Sequence, residues 1–209
     1  RVLTAMLFAA LLVSKWHELT RHLGVNRPPT GDLIAWGGTL YFLLQIPFLA
    51  LMVLLVVVRR PVQVGTARAS GILAALAGTA APMFLVYESD ATSHALLAPL
   101  AVALLLAGMG WAIWSLATLG RCFSLLPEVR GLVTGGPYRW VRHPVYLGEI
   151  IATLGVLLPI LSPVHVAIFA GFCAVQLWRT RHEETALAAT FPEYDDYRRR
   201  TARLLPALW

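Results

Sequence analysis

The sequence predicts an all-α, polytopic integral-membrane helical bundle of about six spans, with a C-terminal helical hairpin and a cytoplasmic tail helix. Composition is the first reason. Hydrophobic residues make up 58% of the 209 and charged residues 13%, about half the roughly 25% usual in a soluble domain. Mean hydropathy is +0.68. Intrinsic disorder needs the opposite balance. The 17 basic and 11 acidic side chains are also too few to cover a soluble globule. The second reason is that four long stretches lack Asp, Glu, Lys and Arg: residues 33–58, 69–87, 91–120 and 150–178. A helix crossing ~30 Å of hydrocarbon needs about 20 such residues. The third is the uneven placement of the remaining charges.

Each element can be justified in order. Residues 2–14 have the apolar core of a signal peptide, but no small-residue cleavage pattern follows. The chain begins at Arg1, so an initiator Met is expected ahead of it, and 2–14 are read as a short first span flanked by Arg1 and Lys15. If they do not insert, five spans remain. The last stretch decides the topology. Begun at Pro144 it would run 35 residues, about 52 Å at 1.5 Å per residue and too long for one straight span. Pro159-Ile-Leu-Ser-Pro163 sits in its middle as a turn signal. Two short helices in a hairpin are therefore expected. This topology places 14 basic residues on one side, in 59–68, 121–142, 179–203 and at Arg1. Lys15, Arg21 and Arg27 are left on the other. A single last span would break that asymmetry, so the positive-inside rule favours the hairpin with both termini cytoplasmic.

Cys122 and Cys173 lie in or beside apolar runs, which speaks against a structural disulfide. His17-Glu18 and His22 lack the i, i+4 spacing of a zinc helix, so no metal site is expected. No Gly-rich nucleotide fingerprint and no Gly-x-Ser-x-Gly is present. The basic excess belongs to the lipid surface, with no nucleic-acid partner. Five tryptophans, at 16, 36, 140, 178 and 209, suit interface anchoring. Trp111 and Trp114 lie deeper, to pack between helices or line a lipid-accessible cleft.

The polar chemistry gathers in the two segments that flank the hairpin. In the first, Gly135-Gly136-Pro137 is a turn whose backbone can approach a ligand. Pro144 suits the first helical position and points a helix N-terminus at that loop. Tyr138, Arg139, Arg142, His143 and Tyr146 surround it. In the second, Arg179 and Glu183 are four apart and share a helix face just below the membrane. Blander roles compete throughout: lipid-phosphate anchoring for Arg139 and Arg142, a cap for His143, an interfacial belt for Tyr138 and Tyr146, and a surface ion pair for Arg179–Glu183. Asp195-Asp196 and Arg198–Arg200 form a solvated face. Leu187, Phe191 and Tyr194 pack the tail helix on the bundle.

The block Leu132-Val-Thr-Gly-Gly-Pro-Tyr-Arg-Trp-Val-Arg-His-Pro-Val-Tyr-Leu-Gly148 precedes the hairpin, and Glu183-Glu184 follows it. Phe191-Pro-Glu-Tyr194, Tyr197 and Arg203-Leu-Leu-Pro206 complete the pattern. Together they resemble the isoprenylcysteine carboxyl methyltransferase family, which is related to membrane phospholipid methyltransferases. The resemblance runs over roughly residues 119–206. It divides the chain into N-terminal spans of unassigned role, 1–118, and a methyltransferase-like catalytic region, 119–209.

The resemblance implies S-adenosylmethionine as methyl donor, bound at the cytoplasmic surface under the tail. By position, the cofactor would meet Arg130, Gly131, Leu132 and Val133 largely through backbone, with Tyr138, His143, Pro144, Tyr146 and Glu183. Arg179 matches the position that orients the acceptor carboxylate, and His143 stands with it as a catalytic candidate. Phe123, aligned with an upstream cofactor contact, offers only packing. A carboxylate acceptor needs no base, whereas a thiol or protonated amine would need His143 or Glu184 to remove a proton. The acceptor is expected to be lipophilic and to arrive from the bilayer. Isoprenylcysteine is the family's name-giving acceptor, and a lipid or isoprenoid carboxylate, amine or thiol is an equal candidate. Sixteen of the 17 basic residues are Arg, a bias of GC-rich coding that points to a bacterial inner membrane. Two other classes stay open. One is a membrane NADPH-dependent sterol or enone-type reductase, which needs more basic residues around its pocket. The other is a transporter-like protein, which needs ionisable residues inside spans, where Glu149 is the only acidic candidate.

Overall fold

The structure is a computed structural model and describes residues 2–25, 33–65, 78, 96–124 and 128–205. The span expected at 69–87 (Gly78 excepted), the 88–94 loop with His94, Pro206 and Trp209 lie outside the described residues. The described chain is helical: α1 (Val2–Val25), α2 (Leu33–Val58), α3 (Ala98–Leu119), α4 (Pro144–Leu157), α5 (Pro163–Thr190) and α6 (Tyr194–Arg200). Two-residue strands Val64–Gly65 and Glu128–Val129 pair antiparallel. With Arg60 N–H to Arg121 O at 2.8 Å and Gln63 N–H to Val129 O at 2.9 Å, they tie the end of α2 to the loop before the site.

Two boundaries differ from the sequence reading. The first helix continues past Ser14 to Val25. Lys15 and Glu18, at i, i+3, pair at 2.7 Å and let the helix carry charge without breaking. The second arm of the hairpin is not short either. It runs 28 residues, about 42 Å, because no proline follows Pro163 until Pro192. Its apolar part therefore passes without a joint into the segment that carries Arg179 and Glu183. Among the described residues, Thr39–Val58 and Ala98–Cys122 are long and apolar enough to cross a membrane, and Pro144–Ile160 is apolar but shorter. The exposure on α2 of Leu54 (54%) and Val57 (62%) calls for an apolar surrounding.

Phe8 of α1, Met52, Leu55 and Val56 of α2, Leu116 of α3 and Phe123 form one buried cluster. Phe123 thus packs into the bundle core. The hairpin turns at Leu158–Ile160, where Leu157 and Ile160 pack on Ile168 and Phe169. Ser162 caps α5 by accepting the His165 N–H at 3.2 Å. His165 sits at this turn and contacts Ile160 O at 2.8 Å through Nδ1.

Among the described helices, α3 and α4 pack along the greatest length, more than the two hairpin arms do. Small residues explain it. A Cβ added to Gly148 would stand 2.7 Å from both Gly108 O and Ala112 N, so backbone meets backbone. Gly148 lies two residues after Tyr146, so this contact fixes the helix that presents the site. Gly148→Leu should cost about 3 kcal/mol or more by overpacking, read as loss of monodisperse protein and a lower unfolding midpoint in denaturing detergent.

Candidate functional site

The site forms where the loop before α4 meets the middle of α5. Gly136 takes φ +56°, and a Cβ there would come 2.9 Å from Thr118 Cγ2, so the turn accepts glycine on both counts. The turn leads into a single 3-10 element, Gly136–Arg139, which buries Tyr138. Burial, with Glu183 nearby, pushes the Tyr138 phenol well above its ordinary range. Upstream, Arg130 is 2% exposed. It donates to Glu128 and to the Arg60 carbonyl. Its guanidinium is a brace, which leaves backbone as its means of meeting a ligand. Gly131 backs onto Cys122 Sγ. Leu132 and Val133 are half-buried in extended chain. Among the described residues, no hydrogen bond takes up the backbone of 131–134.

Pro144 opens α4 with no side-chain cap from His143. One turn on, the Tyr146 hydroxyl donates to Glu183 of α5. The Arg179 guanidinium lies over the Tyr146 ring, 4.6 Å from its centroid. The His143 ring stacks with that of Tyr146, with ring centroids 5.8 Å apart and planes at 12°. Tyr146, Arg179, Glu183 and His143 are thus brought together, one cation and one anion sharing a single tyrosine. Arg179 is 8% exposed, which separates it from a surface ion pair.

His143 is held between two carboxylates: Nδ1 is 3.6 Å from Glu183 and Nε2 3.2 Å from Glu184. Burial disfavours the imidazolium, but the two acids outweigh it and raise the His143 pKa. Glu183 shows the converse: burial pushes its pKa up, while His143, Arg179 and Tyr146 pull it below the usual carboxylate range. Both ring nitrogens face carboxylates of the protein, so His143 is placed to brace Glu183 and Glu184 rather than to take a proton from a substrate. The alternative base is equally occupied. Glu184 accepts from Arg142 Nε at 2.8 Å and from Arg203 Nη2 at 2.8 Å, besides His143. Burial opposes its charge, yet His143, Arg203 and Arg142 hold its pKa far below the ordinary range.

Glu184 is the residue whose role the sequence reading missed. Arg142, for which lipid anchoring and a place at the cofactor compete in the sequence, bonds Glu184, Arg198 O and Thr201 O. Around this centre, Arg142 N–H reaches Ala202 O at 2.8 Å and His143 N–H reaches Arg203 O at 3.1 Å. The Tyr197 hydroxyl donates to Tyr138 O at 2.6 Å. The segment after α6 is therefore stitched across the loop that holds Tyr138 and His143. The Asp195–Arg198 pair, more than half exposed, is a solvated face, as expected. Arg139 stays at the surface on Trp140, 4.1 Å from the ring. Trp140 in turn meets Trp111 and Trp114 in an aromatic cluster.

Comparison with known proteins now has a geometry to attach to. Residues 101–189 match the isoprenylcysteine carboxyl methyltransferase (ICMT) family. The match spans α3, the loop, the hairpin and Glu183-Glu184, and it bears out the family resemblance of the motifs. Among curated relatives, the cobalt-zinc-cadmium resistance protein CzcN of Cupriavidus metallidurans is 36% identical over 109 residues, 50% of this chain and 50% of that one. The methanethiol S-methyltransferase of Mycobacterium tuberculosis is 39% identical over 70 residues, 33% of this chain and 28% of that one. The chain spans half or less of the length of these relatives. Among solved structures, a eukaryotic intramembrane Ras methyltransferase, ICMT, matches with a TM-score of 0.59 at 20% identity, over 96% of this chain and 75% of that one. At that identity the match speaks for an ICMT-like membrane fold.

Proposed function

We propose that the chain is an integral-membrane methyltransferase that uses S-adenosylmethionine and methylates a carboxylate on a lipophilic acceptor. The observation that carries this reading is the shared tyrosine, with Glu183 on the Tyr146 hydroxyl and Arg179 on its ring. The donor set fits the cofactor. Glu183 is a buried but partly accessible carboxylate, its side chain 25% exposed, suited to an ammonium or to ribose hydroxyls. The backbone of 131–134, which makes no hydrogen bond among the described residues, can meet further polar groups. When bound there, S-adenosylmethionine supplies an electrophilic methyl on a sulfonium, transferred by in-line displacement.

The protein's own part is positioning and exclusion of water. Arg179 holds the acceptor carboxylate by charge-assisted hydrogen bonds. An ionised carboxylate is already nucleophilic, so the reaction needs no base. That agrees with a His143 and a Glu184 that are fully engaged. The loop before the hairpin and the tail after it share one face, read as cytoplasmic from the charge balance, of a bacterial inner membrane. The acceptor enters from the lipid, and residues 119–209 carry the chemistry, with α3 as support. The reductase reading is weaker because the cations a second nucleotide would need are committed elsewhere. Arg130 is held by Glu128, and Arg142 and Arg203 by Glu184.

Calorimetric titration of the purified full chain with S-adenosylhomocysteine, and with NADPH in parallel, tests the reading. Saturable binding of the first and silence with the second is expected. The reverse result sinks it in favour of the reductase.

A further inference from the structure

The site does not end at Arg179. One turn deeper along the same seam between α4 and α5, Gln176 Nε2 donates to Glu149 Oε2 at 2.6 Å. Gln176 Oε1 accepts from Arg179 Nη1 at 3.2 Å. Gln176 is fully buried. Glu149 lies on the face of α4 that carries Tyr146, three residues on. Gly78 closes the far side: a Cβ there would stand 3.0 Å from Arg179 Nη1 and 3.1 Å from Gln176 Oε1. An ionisable residue at this depth in an apolar helix is costly to keep without a task.

The chemistry of the three groups permits one orientation. A guanidinium only donates, so the amide must turn its oxygen to Arg179. Its NH2 then faces Glu149, which accepts. Without that acceptor the amide could rotate, and Arg179 would lose the contact that fixes Nη1. The Tyr146 ring constrains the guanidinium plane from a second direction.

We propose that Glu149, acting through Gln176, is a positioning residue that aims Arg179 at the acceptor carboxylate. The inference rests on the reading of Arg179 as the carboxylate-orienting group. It differs from simple interhelical glue in what it predicts. Glue would weaken folding and cofactor binding alike, whereas a positioning role moves recognition of the acceptor's charge alone.

The probes are octanoate and its neutral counterpart octanol, titrated into the full chain at one detergent concentration, each affinity corrected for that compound's own measured partition into the micelle. The wild type should prefer octanoate by about tenfold or more, and Arg179→Ala should erase the preference. Glu149→Leu and Gln176→Leu should each reduce it to below about twofold, and the double variant should go no further, because both act on one path. Glu149→Gln keeps an acceptor oxygen and should stay within about threefold of wild type. S-adenosylhomocysteine affinity, measured on the same samples, should change by less than about twofold in the Glu149 and Gln176 variants. A Glu149→Leu protein with full preference overturns the inference. So do a Glu149→Gln protein as impaired as Glu149→Leu, and a wild type with no preference. Failure of the methyltransferase reading shows separately, as wild-type silence towards S-adenosylhomocysteine.

Discussion

Glu183→Ala should lower S-adenosylhomocysteine affinity about 100-fold, on the order of 3 kcal/mol. Glu183 does two things at once. It accepts the Tyr146 hydroxyl and lies against His143, and its exposed portion is the carboxylate offered to the cofactor. Alanine removes the ligand contact and frees Tyr146. The fold should survive, because His143 keeps its partner in Glu184 at 3.2 Å. Intact far-UV dichroism and an unchanged elution volume would separate lost binding from lost structure. The pH dependence follows from the sign of the shift. The Glu183 pKa lies below its ordinary 4.5, so the carboxylate is ionised at every pH above that value. Cofactor affinity should be flat from pH 8 down to about 5 and fall only in more acid solution. A midpoint near neutrality would assign the binding charge to another group. Glu183→Gln should fall between the two proteins, since it keeps an acceptor oxygen without charge.

The same arrangement shows which parts of the site a sequence can disclose. His143, Pro144, Tyr146 and Glu183-Glu184 were legible because their spacing is a family pattern. Arg179 and Glu183 could be placed on one helix face from their separation alone. Gln176 was not legible: it is uncharged and sits in a stretch read for its lack of charge. Glu149 was noticed as out of place, but its partner lies 27 residues on. Arg142 and Arg203 meet at Glu184 only after the chain has turned twice. Periodicity carries no information about such contacts, and a positive-inside count assigns the same arginines to lipid. The errors at helix ends have a related cause. Hydropathy marks where an apolar span ends, at Ser14 and Trp178, and not where its helix ends. A helix is indifferent to that boundary when i, i+3 pairs satisfy its side chains and no proline intervenes. The tight α3–α4 contact was equally silent in a hydropathy profile, because Gly108 and Gly148 act by lacking a side chain.

Glu184→Ala should release the tail. Its carboxylate is the common partner of Arg142, Arg203 and His143. Removing it leaves Arg142 and Arg203 without their carboxylate and His143 with Glu183 alone, a change of about 3–5 kcal/mol when the site is buried. Glu184 is only 11% exposed at its side chain, so little solvent screening offsets this. The backbone bonds from Arg142 and His143 to Ala202 and Arg203 carry no charge and cannot replace it. Trypsin cleavage after Arg198, Arg199, Arg200 and Arg203 should become about 100-fold faster at neutral pH, with the membrane helices still protected. The two titrations of this cluster have opposite signs. The Glu184 pKa is depressed, so its contribution is complete above about pH 4.5 and is lost as pH falls towards the folded value. The His143 pKa is raised, so its contribution is complete below about pH 6.5 and is lost as pH rises through the folded value. Protection of residues 197–205 against hydrogen exchange, corrected for intrinsic rates, should therefore peak between about pH 4.5 and 6.5 and decline on both sides. In His143→Gln the alkaline decline should vanish while the acid one remains. An alkaline decline that survives this substitution would place the titrating group elsewhere, and a tail in Glu184→Ala as protected as in the wild type would show that the backbone bonds alone hold it down.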